Sequence, residues 1–475
     1  GWLLALLFYD LCYYWLHRMG HEVAVLWAAH VVHHQSQDYN LSTALRQPAT
    51  YELLRWIFYV PMAVAGVPPL TFAVVALIDL LYQFWVHTEH VPRLGWFDRW
   101  FCSPSNHRVH HAVNDPYLDK NYGGILIIWD RLFGTFTEER EKCVYGTRGA
   151  LNSWDPLWAN VEVYWALLKD SWHTRLWRDK LRVWFKPPGW RPADVAQRFP
   201  KPAFEMAQVK RFHPLVSRAV LWFSGAQFAL LLAGVSVFLW FADPLPLAQA
   251  AVWLAALMAA LWALGAVLQG RINVLEVLLI ESAALATASS AMGLPDLHHI
   301  FKPLTIMIAI AFVASSQRTT RAEGRLDALL MAALAASLAG DVLLMFPGYF
   351  LPGLVAFLLA HLCYLVLFKL GTAQLQSLGA GTGREVAGVR SVWFPSRRAL
   401  YGTLGVGAAM LAYLWHGLGP VLRPAVAAYV VVIALMAAQA IGRATLLRNQ
   451  AAVMVAVGAG FFMLSDALLA IDRFA

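Results

Sequence analysis

The sequence predicts an all-α, polytopic integral membrane protein: a histidine-rich helical domain built to hold two metals, followed by a multi-span helical bundle. Three observations carry that prediction. The 475 residues are 59% hydrophobic and only 14% charged, a composition typical of membrane chains. Apolar runs long enough to cross a hydrocarbon core recur from about residue 216 to the end. Ten of the sixteen histidines fall within the first 111 residues, at spacings that a helix turns into clusters.

The elements follow in chain order. Residues 2–15 read as the end of a membrane helix that runs into a turn carrying His17 and His21. Gly1 opens inside an apolar run, so further membrane helices are expected upstream of it. Residues 51–66 and 69–86 read as a helical hairpin broken at Val67-Pro68-Pro69. The remaining histidines then lie where helices leave the bilayer. Nine spans are expected after that, at about 216–241, 246–267, 272–292, 303–316, 326–345, 350–370, 398–417, 424–442 and 448–471. A Gly/Ser/Thr-rich loop near 371–392 separates two groups of them. The resulting domains are 1–150, 151–215 and 216–475.

Residues 151–215 form a basic linker containing Arg175, Arg178, Lys180, Arg182, Lys186, Arg191, Arg198, Lys201, Lys210 and Arg211, with Trp172, Trp177, Trp184 and Trp190 interleaved. In a soluble chain the formal charge of +8 would suggest nucleic acid. Between membrane segments it marks a cytoplasmic, interfacial loop that leans on anionic headgroups, and no nucleic-acid partner is expected. Cys12, Cys102, Cys143 and Cys363 are scattered, which gives no disulfide framework and suits a metal site on the cytoplasmic side.

Histidine spacing carries the chemistry. The clusters are His17-x3-His21, His30-x2-His33-His34 and His107-x2-His110-His111, with His87 and His90 between them. Residues four apart share a helix face, so His17 and His21 can reach one ion. In each His-x2-His-His group the first and last members also share a face, and the rotated middle member can serve a second ion. Neutral imidazole suits iron, zinc or copper, and rarely magnesium or calcium. The expected ligands are His17, His21, His30, His33, His34, His87, His107, His110 and His111. Glu22, beside His21, and Asp10 are candidate acids for fixing ring tautomers, with Glu22 taken as a catalytic residue. Asn121 and Asp130 are structural candidates.

Residues 10–136 resemble the fatty acid hydroxylase/sterol desaturase superfamily and, within it, the alkylglycerol monooxygenase family. The likeness rests on Tyr13-Tyr14-Trp15-Leu16-His17-Arg18-Met19-Gly20-His21-Glu22, on Trp27-Ala28-Ala29-His30-Val31-Val32-His33-His34, on Leu41-Ser42-Thr43-Ala44-Leu45-Arg46-Gln47, on His107-Arg108-Val109-His110-His111, and on Asp119-Lys120-Asn121-Tyr122-Gly123-Gly124 running to Trp129-Asp130-Arg131-Leu132-Phe133-Gly134-Thr135. The resemblance implies a non-haem centre of two iron ions that activates dioxygen, an electron donor (tetrahydrobiopterin in that family), and hydroxylation of the ether-linked carbon of an alkylglycerol. The hemiacetal product would fall apart to a fatty aldehyde and a glycerol derivative. A fatty acyl or sterol hydroxylase or desaturase is the alternative.

The second half carries acids in apolar helices, Gly340-Asp341 and Ser465-Asp466, joined by Lys302, Glu276, Glu281 and His361. A charged Asp at bilayer depth costs about 2.5–3.5 kcal/mol on insertion scales, so such residues are paired or functional. Phe301-Lys302-Pro303, Ser337-Leu338-Ala339-Gly340-Asp341, the run from Gly353 to His361, and Phe462-Met463-Leu464-Ser465-Asp466 resemble the lysoplasmalogenase (YhhN-like) membrane family. That resemblance implies hydrolysis of a vinyl ether, with Asp341 and Asp466 sharing the acid and water-activating roles. The alternative is a non-catalytic module in which the aspartates join helices or balance Lys302.

Overall fold

The computed structural model describes residues 1–315, 321–379 and 393–474. Among the described residues there are helices, turns and two isolated bridges, Phe101 to Leu126 and Ala112 to Tyr145. The chain parts into two compact units, Gly1–Ile272 and Asn273–Ala475.

In the first unit α1 (Trp2–Glu22) carries His17 and His21 on one uninterrupted helix. α2 (Ala24–Ala28) and α3 (Val31–His34) follow with His30 between them. α4 (Leu41–Ala44) is closed by a capping box, in which Asn40 accepts from Ser42 N while Thr43 accepts from Asn40 N. The first arm of the expected hairpin is segmented into α5 (Tyr51–Arg55), a 3₁₀ turn and α6 (Val60–Val64), ending at Gly66 with φ +75°. Pro68 and Pro69 then start α7 (Pro69–Trp85). These pieces close on α1 through Tyr9, Cys12, Leu16, Tyr59, Met62 and Val75, with Tyr9 stacked on Tyr59 at 4.7 Å.

α8 (Phe97–Trp100) leads to α9 (Pro104–His111), which Ser103 caps and Pro104 opens. α10 (Ile128–Phe133) stops at Gly134, left-handed at φ +77°. The preceding loop lies directly over α1 and α7. A Cβ on Gly124 would sit 2.7 Å from Asp79 Oδ1 and 2.9 Å from Asp10 Oδ1, so only glycine fits there.

α11 (Pro156–His173) begins where Asp155 accepts from Leu157 N and Trp158 N, both at 3.0 Å. α12 (Trp177–Phe185) and α13 (Ala193–Arg198) complete the linker region, and α14 (Arg218–Phe241) and α15 (Leu247–Leu268) close the unit. Composition puts a boundary near 215, whereas the compact units part after Ile272. The physical reason is that the end of α15 is tied to the start of α11. Ser153 Oγ donates to Gln269 at 3.1 Å, and a Cβ on Gly265 would fall 2.6 Å from the Trp154 carbonyl.

The second unit contains α16 (Val274–Ala291), α17 (Pro295–Ser315), α18 (Arg321–Leu344), α19 (Phe350–Gly379), α20 (Arg397–Leu414), α21 (Leu422–Leu447) and α22 (Gln450–Phe474). α17 starts eight residues before its expected beginning, because Pro303 sits inside the helix instead of opening it. α19 runs through the first part of the expected 371–392 loop, and residues 380–392 lie outside the described set. α21 is the central element: Ala434, Ala437, Ala438, Ala440 and Gly442 are buried, and such small side chains let helices approach closely.

Eight of these helices are long and apolar enough to cross a bilayer: α14 to α19, α21 and α22. The chain is a multi-pass membrane protein. α20, expected as a ninth span, is not among the eight, because Arg397 and Arg398 lower its mean hydropathy.

Candidate metal centre

Nine buried histidines converge in the first unit. His17, His21, His30, His34 and His110 form one group, and His33, His87, His107 and His111 form another. In each group the ligand nitrogens all lie within 4.8 Å of one another. His30 and His34, four apart, fall together while His33 goes to the other group. His107 and His111 likewise fall together while His110 crosses over. His90 is exposed and belongs to neither group.

Backbone carbonyls set the tautomers. His17 Nδ1 meets Tyr122 O at 2.9 Å, His110 Nδ1 meets Lys120 O at 3.0 Å, His87 Nδ1 meets Gln83 O at 2.7 Å, and His33 Nδ1 meets Arg46 O at 3.3 Å. A carbonyl only accepts, so each Nδ1 carries the proton and each Nε2 offers a lone pair. Yet Nε2 of His33 faces Nε2 of His87 at 3.1 Å. Two lone pairs at that distance repel each other unless a cation lies between them. With metal–nitrogen bonds of about 2.0–2.1 Å, adjacent ligands of one ion have their nitrogens about 3 Å apart. His30 and His34 (3.1 Å), His87 and His107 (3.0 Å), and His107 and His111 (3.2 Å) repeat the spacing between their Nε2 atoms. The Nε2 atoms of His17, His21 and His110 are buried with no protein partner. Unpaired buried polar atoms are costly, and a metal satisfies them.

The electrostatics agree. Burial, reinforced by neighbouring imidazoles, holds His30, His34, His107, His110 and His111 well below the usual histidine value. Burial also pushes His33 down to about 3 and His87 to about 4. These rings are therefore neutral at neutral pH, the form that binds transition metals.

The supporting layer differs from the expected one. Glu22 was expected to steady His21, but its carboxylate takes Arg18 Nε at 2.8 Å, one turn back on α1. The acid facing His21 Nδ1 is Asp119, at 3.7 Å. Asp10 accepts from Ile125 N (2.7 Å), Leu126 N (3.1 Å) and Trp129 Nε1 (2.8 Å), so it anchors the loop below the site. Asp130 accepts from Tyr122 N (2.8 Å), Gly123 N (2.7 Å) and Thr135 Oγ1 (2.6 Å), which fixes the peptide whose carbonyl holds His17. Asn121, left-handed at φ +57°, donates to Asn106 O and Thr137 O. Asp79 was not singled out from the sequence. It is a buried acid on apolar α7 that takes a hydrogen bond from Gln83 Nε2, and the rule that flagged Asp341 would have found it.

The second unit contains a half-open cavity of about 970 Å³, lined by Lys302, Ser337, Asp341, Tyr429 and Asp466 among apolar side chains. Lys302 Nζ lies 3.1 Å from Asp341 Oδ1. Tyr429 donates its hydroxyl to Asp466 and meets His361 Nε2 at 2.9 Å. His361 Nε2 lies 3.7 Å from Asp466 Oδ2. A largely apolar cavity with a few converging polar groups is the usual form of a small-molecule site.

Comparison with known proteins divides the chain the same way. Residues 2–135 match the fatty acid hydroxylase family. Residues 297–475 match the YhhN family. Alkylglycerol monooxygenase of Xenopus tropicalis is 42% identical over 236 residues, which is 49% of this chain and 52% of that protein. Alkylglycerol monooxygenase of Danio rerio is 48% identical over 192 residues, 40% of this chain and 43% of that protein. The ornithine lipid hydroxylase OlsE of Rhizobium tropici is 29% identical over 129 residues, 26% of this chain and 38% of that protein. The chain thus spans about half the length of the alkylglycerol monooxygenases it matches best among these. No solved structure shows a significant match.

All nine expected ligands lie inside the fatty acid hydroxylase region, and both aspartates lie inside the YhhN region. Tyr429 in the YhhN region was not read from sequence, since a tyrosine in an apolar helix resembles ordinary packing. Glu276, noted there as a stray acid, sits outside the matched residues and caps α16 by accepting from Asn273 N at 2.6 Å.

Proposed function

We propose that the first unit is a dioxygen-dependent monooxygenase holding two iron ions, one in the five-histidine group and one in the four-histidine group, and that it hydroxylates the ether-linked carbon of alkylglycerol lipids. The observation that carries this reading is the facing pair of lone-pair nitrogens on His33 and His87. When bound, the iron supplies dioxygen activation. The protein's own contribution is to hold nine buried rings with Nε2 directed inward and to exclude water through burial. Glu22 acts at one remove by fixing Arg18, whose Nη1 reaches Tyr14 Oη at 3.3 Å. An electron donor is required, tetrahydrobiopterin in this reading, and the centre faces the cytoplasm, as the basic linker following it suggests.

In the second unit, Asp341 and Asp466 divide an alkenyl-ether hydrolysis between them. One carboxylic acid protonates the vinyl carbon β to the ether oxygen, and the other carboxylate takes a proton from the water that adds to the resulting oxocarbenium carbon. The hemiacetal then releases fatty aldehyde and the glycerol hydroxyl. Water is the only co-reactant. Both halves thus release fatty aldehyde from ether lipids.

The test is metal analysis of the purified chain, with oxygen uptake and aldehyde detection on alkyl- and alkenyl-glycerolipids. Two irons per chain and oxygen-dependent aldehyde from the alkyl ether are expected. Hydroxylated acyl chains or sterols without aldehyde would reassign the substrate. An alkenyl ether left intact by the wild type would remove the hydrolase.

A further inference from the structure

α11 and α12 bear an apolar surface with no protein covering it. On α11 the exposed residues Trp158, Val161, Trp165, Leu168 and Trp172 recur at spacings of three and four, which makes a single stripe along the whole helix. On α12, Trp177, Leu181 and Phe185 continue it at spacings of four, with Trp177 82% exposed and Phe185 68%. The opposite side of α12, Asp179 and Val183, is buried. α12 has nine residues, about 14 Å of helix, which is too short to cross a bilayer.

The flanks are cationic. Arg175 and Arg178 are exposed. Lys180 lies over the Trp177 ring at 5.5 Å from its centroid, and Arg182 lies over Trp190 at 5.5 Å. Indoles and aliphatic side chains on one face, bordered by Arg and Lys, match the chemistry of an acyl boundary beneath anionic headgroups. The start of α11 is joined to the end of the candidate span α15, so this surface begins where a membrane helix ends.

We infer that α11 and α12 lie in the plane of the membrane, as a platform seated on an anionic lipid leaflet, and that the metal centre rests on this platform. The link to the centre is direct. Ala24 N, at the start of α2, donates to Lys186 O at 3.0 Å, just past the end of α12. Gln35 Nε2, next to His34, donates to Ala159 O of α11 at 3.2 Å. The depth of the platform therefore sets the height of the histidines above the acyl chains. This inference concerns where the site sits and does not depend on which lipid it oxidises.

The test uses nitroxide labels at Trp165→Cys and Leu181→Cys, with Arg140→Cys on an exposed loop as reference. The full chain is placed in bilayers of phosphatidylcholine, with and without phosphatidylglycerol. Native Cys12, Cys102 and Cys143 are buried, and the unlabelled-variant background accounts for Cys363. Accessibility to oxygen relative to a water-soluble nickel complex is expected to be several-fold higher at Trp165 and Leu181 than at Arg140, and higher again with phosphatidylglycerol. Equal ratios at all three positions would overturn the platform. So would dipolar broadening at Leu181 with exclusion of both reagents, since a second copy would then cover the face. Ratios indifferent to phosphatidylglycerol would overturn the anionic partner. None of these readouts requires enzymatic turnover.

Discussion

The two candidate sites solve opposite problems. The histidine centre packs nine buried rings into the interior, with the ligand nitrogens of each group within 4.8 Å of one another and each anchored Nδ1 on a carbonyl. The acid cavity keeps about 970 Å³ open and supplies only a handful of polar groups around it. On the proposed reading the first is a rigid cage for a cofactor, whereas the second is a chamber for a substrate. A cage fails when any support is lost, because unsatisfied buried groups are expensive. A chamber tolerates change until a reacting group itself is touched.

The contrast can be broken most decisively by metal removal. Chelation, or His34→Ala, is expected to take aldehyde release from alkyl ethers to background while alkenyl-ether hydrolysis continues; parallel loss of both would deny that the sites are independent. Next in size, Asp466→Asn should lower alkenyl-ether turnover by about 10²–10⁴-fold, the range for an acid–base group, with iron content unchanged on elemental analysis. Asp130→Ala removes the acceptor for two backbone amides and Thr135, and is expected to destabilise the first unit by roughly 2–4 kcal/mol, measured as a lowered thermal midpoint with reduced iron retention. Smallest is Glu22→Gln. Its ion pair with Arg18 is partly exposed, so a stability change under about 1 kcal/mol is expected. A loss of all iron in that variant would mean that the acid supports His21 directly.

The sequence made the ligand groups legible because helical spacing is geometric: residues four apart share a face, and their odd neighbour does not. Apolar runs of membrane-crossing length marked the nine helices that follow residue 216 among the described residues. The sequence could not reveal the carbonyls of Tyr122, Lys120, Gln83 and Arg46, since a backbone oxygen is the same in every residue. Nor could it reveal the segmented arm before α7, where tertiary packing on Tyr9 and Cys12 overrides local preference. In the second unit, acids in apolar helices were conspicuous, while Tyr429 was camouflaged by its neighbours. The Arg18 partner of Glu22 was not read from the sequence, because adjacency says nothing about which way a side chain turns when an arginine waits one turn away.

Orientation of the rings by main-chain oxygens has a consequence for inheritance. No single codon change can delete a carbonyl, so this layer is shielded from point mutation in a way that a carboxylate layer would not be. Damage has to arrive as an altered loop path, and the narrow targets are Gly123 and Gly124, where even one methyl group has nowhere to go.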